Sequence, residues 1–347
     1  MRISIGILAW NEADSIGATI GSLFSQSLVT HPPDNVEMIQ VVCVPNGCTD
    51  STAEAARQAI RDAKATLGGG HVQTEVHELA EAGKSNAWNH YVHEYADPEA
   101  DYIYLMDADV LFHEPHTLRK LFDVLEQSPQ LKVAAAKLVK DLTYKPRKSF
   151  MDRISLAASR MTHDTVHGIA GGLYCARGST LRSIWLPIGL LGEDGFLKAM
   201  IVTNGFTQPD DPSVLTRVDE ATLIYEAERR WAGNFRHSRR LAIGSAMNTY
   251  LFDYLWKNTG ARGAGDLIRE NNEHDPAWAR KLIHERVSQA GWWVLPRGAA
   301  MRRLLRLRSL PLTKAAAYLP ICIVGTPFDL AVSFSANARM RKQEMEW

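Results

Sequence analysis

The sequence has little cysteine. Cys43, Cys48, Cys175 and Cys322 are too few and too scattered for a disulfide framework, and none belongs to a Cys-x-x-Cys pair, which points to a reducing cytosol. An excess of charge of one sign is also missing. The 39 Lys+Arg balance 39 Asp+Glu, so no global basic field draws the chain onto nucleic acid, and any charged partner must be recognised locally. A signal peptide is not expected either: the apolar run from Met1 to Trp10 stops at Asn11-Glu12 without a small-residue cleavage pattern and reads as a buried strand. Solenoid-type repeats are absent. What remains is a 347-residue chain, 46% hydrophobic and 22% charged, able to bury the core of one large domain or two smaller ones.

The first half alternates short apolar runs with helical patterns, as βα units around a mostly parallel sheet do. Strands are expected over 2–8, 37–44, 73–77, 102–106, 133–139 and 172–176. Asp14 can cap a helix whose Ile16, Ile20, Leu23 and Phe24 form one apolar stripe. Ser51 and Glu54 have capping-box spacing ahead of an alanine-rich helix to about Ala65. Further helices are expected from Lys84 to about Tyr95 and from Pro115 to about Leu125. After Ile224 the sequence turns helical and rich in Arg and Trp.

The strand Tyr102 to Met106 belongs at the sheet centre and delivers Asp107-Ala108-Asp109 at its carboxyl end, where open α/β sheets bind ligands. Two carboxylates two residues apart, released by a turn, can converge on one hard divalent cation that bridges to phosphate. The same pair can also do no more than cap the following turn.

Four segments occur in order: Ile7-Leu8-Ala9-Trp10-Asn11-Glu12, Val41 to Thr52 with its Pro45-Asn46-Gly47-Cys48-Thr49-Asp50 turn, Gly83-Lys84-Ser85-Asn86-Ala87-Trp88-Asn89, and Leu105-Met106-Asp107-Ala108-Asp109. Together they resemble the family 2 inverting glycosyltransferases of the GT-A fold over roughly residues 1 to 235. The resemblance implies an α/β nucleotide-sugar-binding catalytic domain at 1–235, followed by a helical region at 236–347. It implies a nucleotide-diphospho-sugar donor, an acceptor hydroxyl, transfer of a hexosyl-type group, and Mg²⁺ or Mn²⁺ as cofactor.

Carried onto this chain, Ala9, Asn11, Glu12 and Asn46 fall at the nucleoside, Lys84 near the donor phosphates, Asp107 at donor ribose or metal, and Asp109 on the metal, with His237 as a candidate third ligand. Glu193-Asp194 looks like the family's second acidic motif. An inverting transfer needs a base opposite the leaving diphosphate, for which Asp194 is the candidate while Glu193 orients the acceptor; the alternative is a helix start carrying acids for its dipole. Ala227-Glu228-Arg229-Arg230-Trp231 resembles the Gln-x-x-Arg-Trp signature of processive relatives, with Ala227 in the glutamine position. Arg230 is then placed to pair with diphosphate and Trp231 to stack under an acceptor sugar, or the two simply pack for stability. The family usually has acids where this chain has Pro45 and Asn46.

A sugar-phosphate nucleotidyltransferase is the rival enzyme, and a catalytically silent sugar-nucleotide binder the rival of another class. The former calls for a Gly-rich loop after the first strand, and Ala9-Trp10-Asn11-Glu12 has no glycine.

Near the C-terminus, Met301, Leu304, Leu305 and Leu307 gather opposite Arg302, Arg303 and Arg306, a pattern that suits an anionic membrane surface. Ala315 to Phe334 gives 20 mostly apolar residues, near the span minimum, but Pro320, Pro327 and Asp329 argue against a simple span. An interfacial or re-entrant segment is expected, against a buried helical pair. It would place the protein in the cytoplasm at the inner face of the inner membrane, with a lipid-linked acceptor in cell-envelope or exopolysaccharide synthesis.

Overall fold

The computed structural model describes residues 1–347 apart from 68–69, 150–151, 154, 157–167, 170, 229, 309 and 345–347. Eight strands form one sheet: β1 (Arg2–Ala9), β2 (Met38–Pro45), β3 (Val72–Val76), β4 (Tyr102–Asp107), β5 (Val110–Phe112), β6 (Val133–Lys140), β7 (Leu173–Arg177) and β8 (Leu215–Tyr225). Their order is β3-β2-β1-β4-β7-β6-β8-β5. The first four run parallel, β7 is antiparallel to both β4 and β6, β6 and β8 are parallel, and β5 closes the edge antiparallel to β8. This is the mostly parallel α/β architecture expected, with β4 in the interior.

Six expected strands appear within one or two residues of their places. β5 and β8 lie outside that set for physical reasons. Three residues are too few to show a period, and Leu215–Tyr225 mixes Arg217, Asp219 and Glu220 into its run. Its partner β6 shifts register between Ala136 and Lys137.

Both faces of the sheet are covered. Ile3, Ile5 and Ile7 of β1 point to one face, beneath α1 (Ile16–Phe24), α2 (Thr52–Leu67) and the later α4 (Thr117–Gln127), and are fully buried. Truncating one to alanine should cost about 2–5 kcal/mol. The stripe Ile16, Ile20, Leu23 and Phe24 is buried as expected, but the residue preceding the helix is Ser15, not Asp14, and no side chain caps it. On the opposite face, Gly6 leaves room for the Tyr91 ring, which an added Cβ would meet at 2.4 Å. The Tyr91 hydroxyl lies 2.9 Å from Ser4 Oγ. Beneath this face α3 (Lys84–His90) ends earlier than expected, passing into a π turn over Tyr91–Tyr95 in which Ala96 N donates to Tyr91 O.

The same face carries α5 (Glu193–Val202) and the C-terminal helices α6 (Trp231–Asn258), α7 (Ala264–His274) and α8 (Trp278–Gln289). One core joins Leu105 of the sheet through Phe196 to Met247 and Ile283, so it runs across the expected 235/236 division, which falls inside α6. Then come α9 (Arg302–Leu307) and α10 (Leu312–Arg341). α10 is one continuous helix through Pro320 and Pro327, so the segment does not double back. Its second half packs on the body, where Asn337 bonds the backbone of Trp292 and Val294 and Arg341 donates to Gly291 O.

Candidate active site

The carboxyl ends of β1, β2 and β4 lie side by side, and the segments that leave them are tied together by short polar side chains. Asn11 adopts a left-handed backbone (φ 55°) and accepts from Thr49 N at 2.7 Å. Asp50 accepts from Ala13 N and from Thr52 N and Oγ1, which hold its carboxyl below the usual range. Glu12 N donates to Thr52 Oγ1, and Glu12 Oε2 accepts from Ser15 Oγ. Asn46 is buried and fully engaged: Nδ2 donates to Ala9 O at 2.8 Å and Oδ1 accepts from Gly83 N at 3.0 Å. Its side chain therefore clamps the ends of β1 and β2 to the start of α3.

Asp107 is the last residue of β4, and Asp109 lies beyond it in the turn, open to solvent on one side and crowded by protein atoms of the cleft on the other. That crowding displaces part of its water and raises the Asp109 carboxyl, and the Asp107 charge raises it further. Glu12 behaves alike: burial raises it, and Asp109, Asp107 and Asp50 add to the shift against its bond from Ser15. Four carboxylates, Glu12, Asp50, Asp107 and Asp109, thus gather at the end of the sheet.

Across the cleft, α5 presents Glu193 and Asp194 in its first turn. Lys84, the first residue of α3, joins the two sides, with Nζ 2.7 Å from Asp107 Oδ1 and 3.2 Å from Glu193 Oε1. Burial alone would depress the Lys84 amine, but Asp107, Glu193 and Asp194 together hold it well above its ordinary value. Asp194 accepts from Gly171 N at 3.0 Å. Burial is the main influence on Asp194, reinforced by Glu193 and Asp107 and opposed by Lys84 and the Gly171 N–H, and its carboxyl is pushed up to about 7. Leu8, Trp88, Tyr174 and Leu186 wall the space between these groups, which closes on a cavity of ≈ 10 Å³, about the size of one water.

Two supports of this geometry were not apparent as site residues in the sequence. A Cβ on Gly171 would lie 2.5 Å from Asp194 Oδ1, so glycine lets the acid approach the backbone. Gly192, ahead of α5, touches Gly244 of α6, and Asn248 Nδ2 donates to Gly192 O at 2.8 Å. α6 thereby fixes the start of the acidic helix. The Gly171-Gly172 pair ahead of a strand was the available signal for the first; the second is a contact between distant segments.

Ala9, Glu12, Asn46, Lys84, Asp107, Asp109, Glu193 and Asp194 are thus brought to one end of the sheet, with Asn11 beside them. His237 lies on α6, where burial lowers its pKa and the charges acting on it are Arg240 and Arg302. Among the described residues no group of three or more His, Cys, Asp or Glu side chains is arranged to hold a metal by itself. Arg230 and Trp231 stand at the start of α6. Arg230 N donates to Glu228 Oε1, and Trp231 is 73% exposed, with its ring edge-on to Phe328.

The model of the family described as glycosyl transferase family 2 matches residues 4–173, from β1 through β4 to the start of β7. Residues 4–173 form a glycosyltransferase family 2 domain. The matched part of this glycosyltransferase holds Glu12, Lys84, Asp107 and Asp109, while Glu193 and Asp194 follow it. Among solved structures, a mannosyltransferase from Pyrobaculum calidifontis in complex with GDP-Man and Mn²⁺ is 16% identical, with a TM-score of 0.56 over 99% of this chain and 88% of that one. This likeness shows a shared GT-A type fold that takes in the C-terminal helices. Glucosyl-3-phosphoglycerate synthase from Mycobacterium tuberculosis, in complex with Mn²⁺, UDP-Glc and phosphoglyceric acid, is 16% identical over 71% of this chain and 79% of that one, with a TM-score of 0.47. No curated protein matches the sequence.

Proposed function

We propose that this glycosyltransferase moves a hexosyl group from a nucleotide-diphospho-sugar to an acceptor hydroxyl with inversion, in a divalent-metal-dependent reaction. The observation that carries the reading is the placement of Asp107 and Asp109 on one side of the cleft, opposite Asp194 on the other, with Lys84 between them.

The metal fits the donor set. Glu12, Asp107 and Asp109 supply hard oxygen atoms whose mutual repulsion a cation relieves, and a magnesium-like ion is commonly held by one or two carboxylates plus substrate phosphate and water. Asp109, with Asp107, would hold Mg²⁺ or Mn²⁺. Such an ion supplies charge neutralisation at the departing diphosphate. The complex of the mannosyltransferase with GDP-Man and Mn²⁺ agrees with this.

The chain's own groups do the rest. The clamp made by Asn46, Asn11 and Asp50 keeps the ends of β1 and β2 in register for the nucleoside. Lys84 lies where phosphate oxygens approach Asp107. Asp194 takes the proton of the acceptor hydroxyl as the acceptor oxygen forms its bond to the anomeric carbon. The bond to the diphosphate oxygen breaks on the opposite face, and its electron pair leaves with the nucleotide. Glu193 orients the acceptor, and Trp231 offers an exposed ring to a sugar face.

The acceptor in this reading is lipid-linked and the protein sits on a membrane surface. α10 is long and apolar enough to cross a membrane, yet only 17% of its most apolar stretch is buried. Leu312, Leu319, Ile323, Val324, Leu330 and Phe334 face outward, while Asp329, Ser333 and Asn337 are buried. Cys322, Val332, Ala336 and Met340 are buried beside them, and a helix that still turns this many large apolar side chains outward is suited to an apolar surrounding.

Incubating the protein with a set of nucleotide sugars, Mn²⁺ and candidate acceptors tests the reaction. Metal-dependent formation of a glycoside with inverted anomeric configuration is expected. Release of pyrophosphate from a nucleoside triphosphate and a sugar phosphate would instead assign the rival nucleotidyl transfer.

A further inference from the structure

A second cavity, of ≈ 410 Å³, lies among α6, α9, α10 and the loop before α9. Arg297, Arg302 and Arg306 line it together with Leu241, Leu305 and Asp329. Asp329 is 2% exposed. Arg303 Nε lies 2.6 Å from its Oδ2 and Arg302 Nη2 lies 3.8 Å from its Oδ1, which no hydrogen-bond donor reaches. Arg297, Arg302 and Arg303 stand against this one carboxylate, so the cavity keeps a positive excess without counting Arg306. Its walls are not polar throughout: Leu241 and Leu305 are 44% and 40% exposed.

We infer that this cavity binds the phosphodiester headgroup of an anionic membrane lipid. A phosphate suits planar guanidinium donors, which hold it with paired hydrogen bonds. A hydroxyl at the tip of the headgroup would supply the donor that buried Asp329 Oδ1 lacks. The exposed leucines beside the arginines, and the outward apolar stripe of the same helix that carries Asp329, give the acyl chains a surface to follow. A free phosphate would use the arginines but leave the leucines in water. The site lies apart from the Lys84 cluster, so it anchors the enzyme and takes no part in transfer. It rests on the reading that α10 contacts a membrane.

Flotation of the full chain with vesicles of phosphatidylcholine alone, and of phosphatidylcholine mixed with phosphatidylglycerol, tests it. The wild type should float with both and more strongly with the anionic mixture. The double variant R297Q/R302Q removes two exposed cations and should lower binding to the anionic vesicles roughly thirtyfold, since each basic residue near such a surface contributes about 1 kcal/mol. Binding to phosphatidylcholine and sugar-nucleotide turnover should stay unchanged. Equal binding of wild type and variant to the anionic vesicles would overturn the headgroup site while leaving membrane contact standing. Flotation with neither vesicle would overturn membrane contact itself, and the site with it. Thermal stabilisation of the wild type, but not the variant, by inorganic phosphate without vesicles would reassign the cavity to a free anion.

Discussion

The amine of Lys84 lies 2.7 Å from Asp107 Oδ1, and this one ion pair ties the end of β4 to the first turn of the acidic helix through the further contact to Glu193. A single cation there answers three carboxylates. Lys84→Met should leave them uncompensated, with a stability loss of about 3–5 kcal/mol typical of removing one partner of a buried pair. With the amine gone, the Asp194 carboxyl, already raised by burial, rises further above its unfolded value. The unfolded chain then releases that proton first, so stability falls as pH rises between the two values. Melting curves should show a larger deficit at pH 8 than at pH 5, and an equal deficit at both would refute this balance of charge.

Asp194→Asn keeps an oxygen to accept from Gly171 N, so the loop should stay in place. Donor affinity should be retained while turnover falls by several powers of ten, because the amide cannot take a proton. Single-turnover kinetics separates the two, and a variant with near-normal chemistry would move the base elsewhere.

Because the Asp194 carboxyl is raised to about 7, it is mostly protonated at pH 6 and mostly ionised at pH 8. A base must be ionised to act, so kcat/KM should climb with pH, pass its midpoint near pH 7 and level off about one unit higher. A flat profile from pH 6 to 8 would contradict the assignment.

Gly171→Ala puts a methyl group 2.5 Å from the Asp194 carboxylate. The acid must turn aside, and misplacement of a reacting group by about 1 Å costs on the order of 100-fold in rate. kcat should fall by about that factor with KM for the donor little changed; a variant as active as wild type would mean that Asp194 need not lie against the backbone here.

Much of this was legible in the sequence because the parallel half of the sheet writes itself as apolar runs followed by turn chemistry. Tyr102 to Met106 leads straight into Asp107 and Asp109, and the four ordered motifs marked their neighbours. The contact of Lys84 with Glu193 was not legible, since it joins residues more than a hundred positions apart, and its pairing with Asp107 depends on how the start of one helix meets the end of a strand. Asn46 was read as touching the nucleoside, whereas its amide is occupied by Ala9 O and Gly83 N, a contact that depends on how two loops meet. The prolines of the last helix suggested a break, but one face of that helix is free of packing, and the chain runs on through both.

In the proposed reaction the acids at the end of β4 hold a divalent cation against the donor diphosphate. Calorimetric titration of a turned-over nucleotide sugar into wild type, Asp109→Ala and Asp194→Asn, with and without Mn²⁺, tests it most directly. Binding that needs Mn²⁺ in the wild type and in Asp194→Asn, and is lost in Asp109→Ala, is the predicted result. Equal, metal-independent affinity in all three proteins would contradict the account.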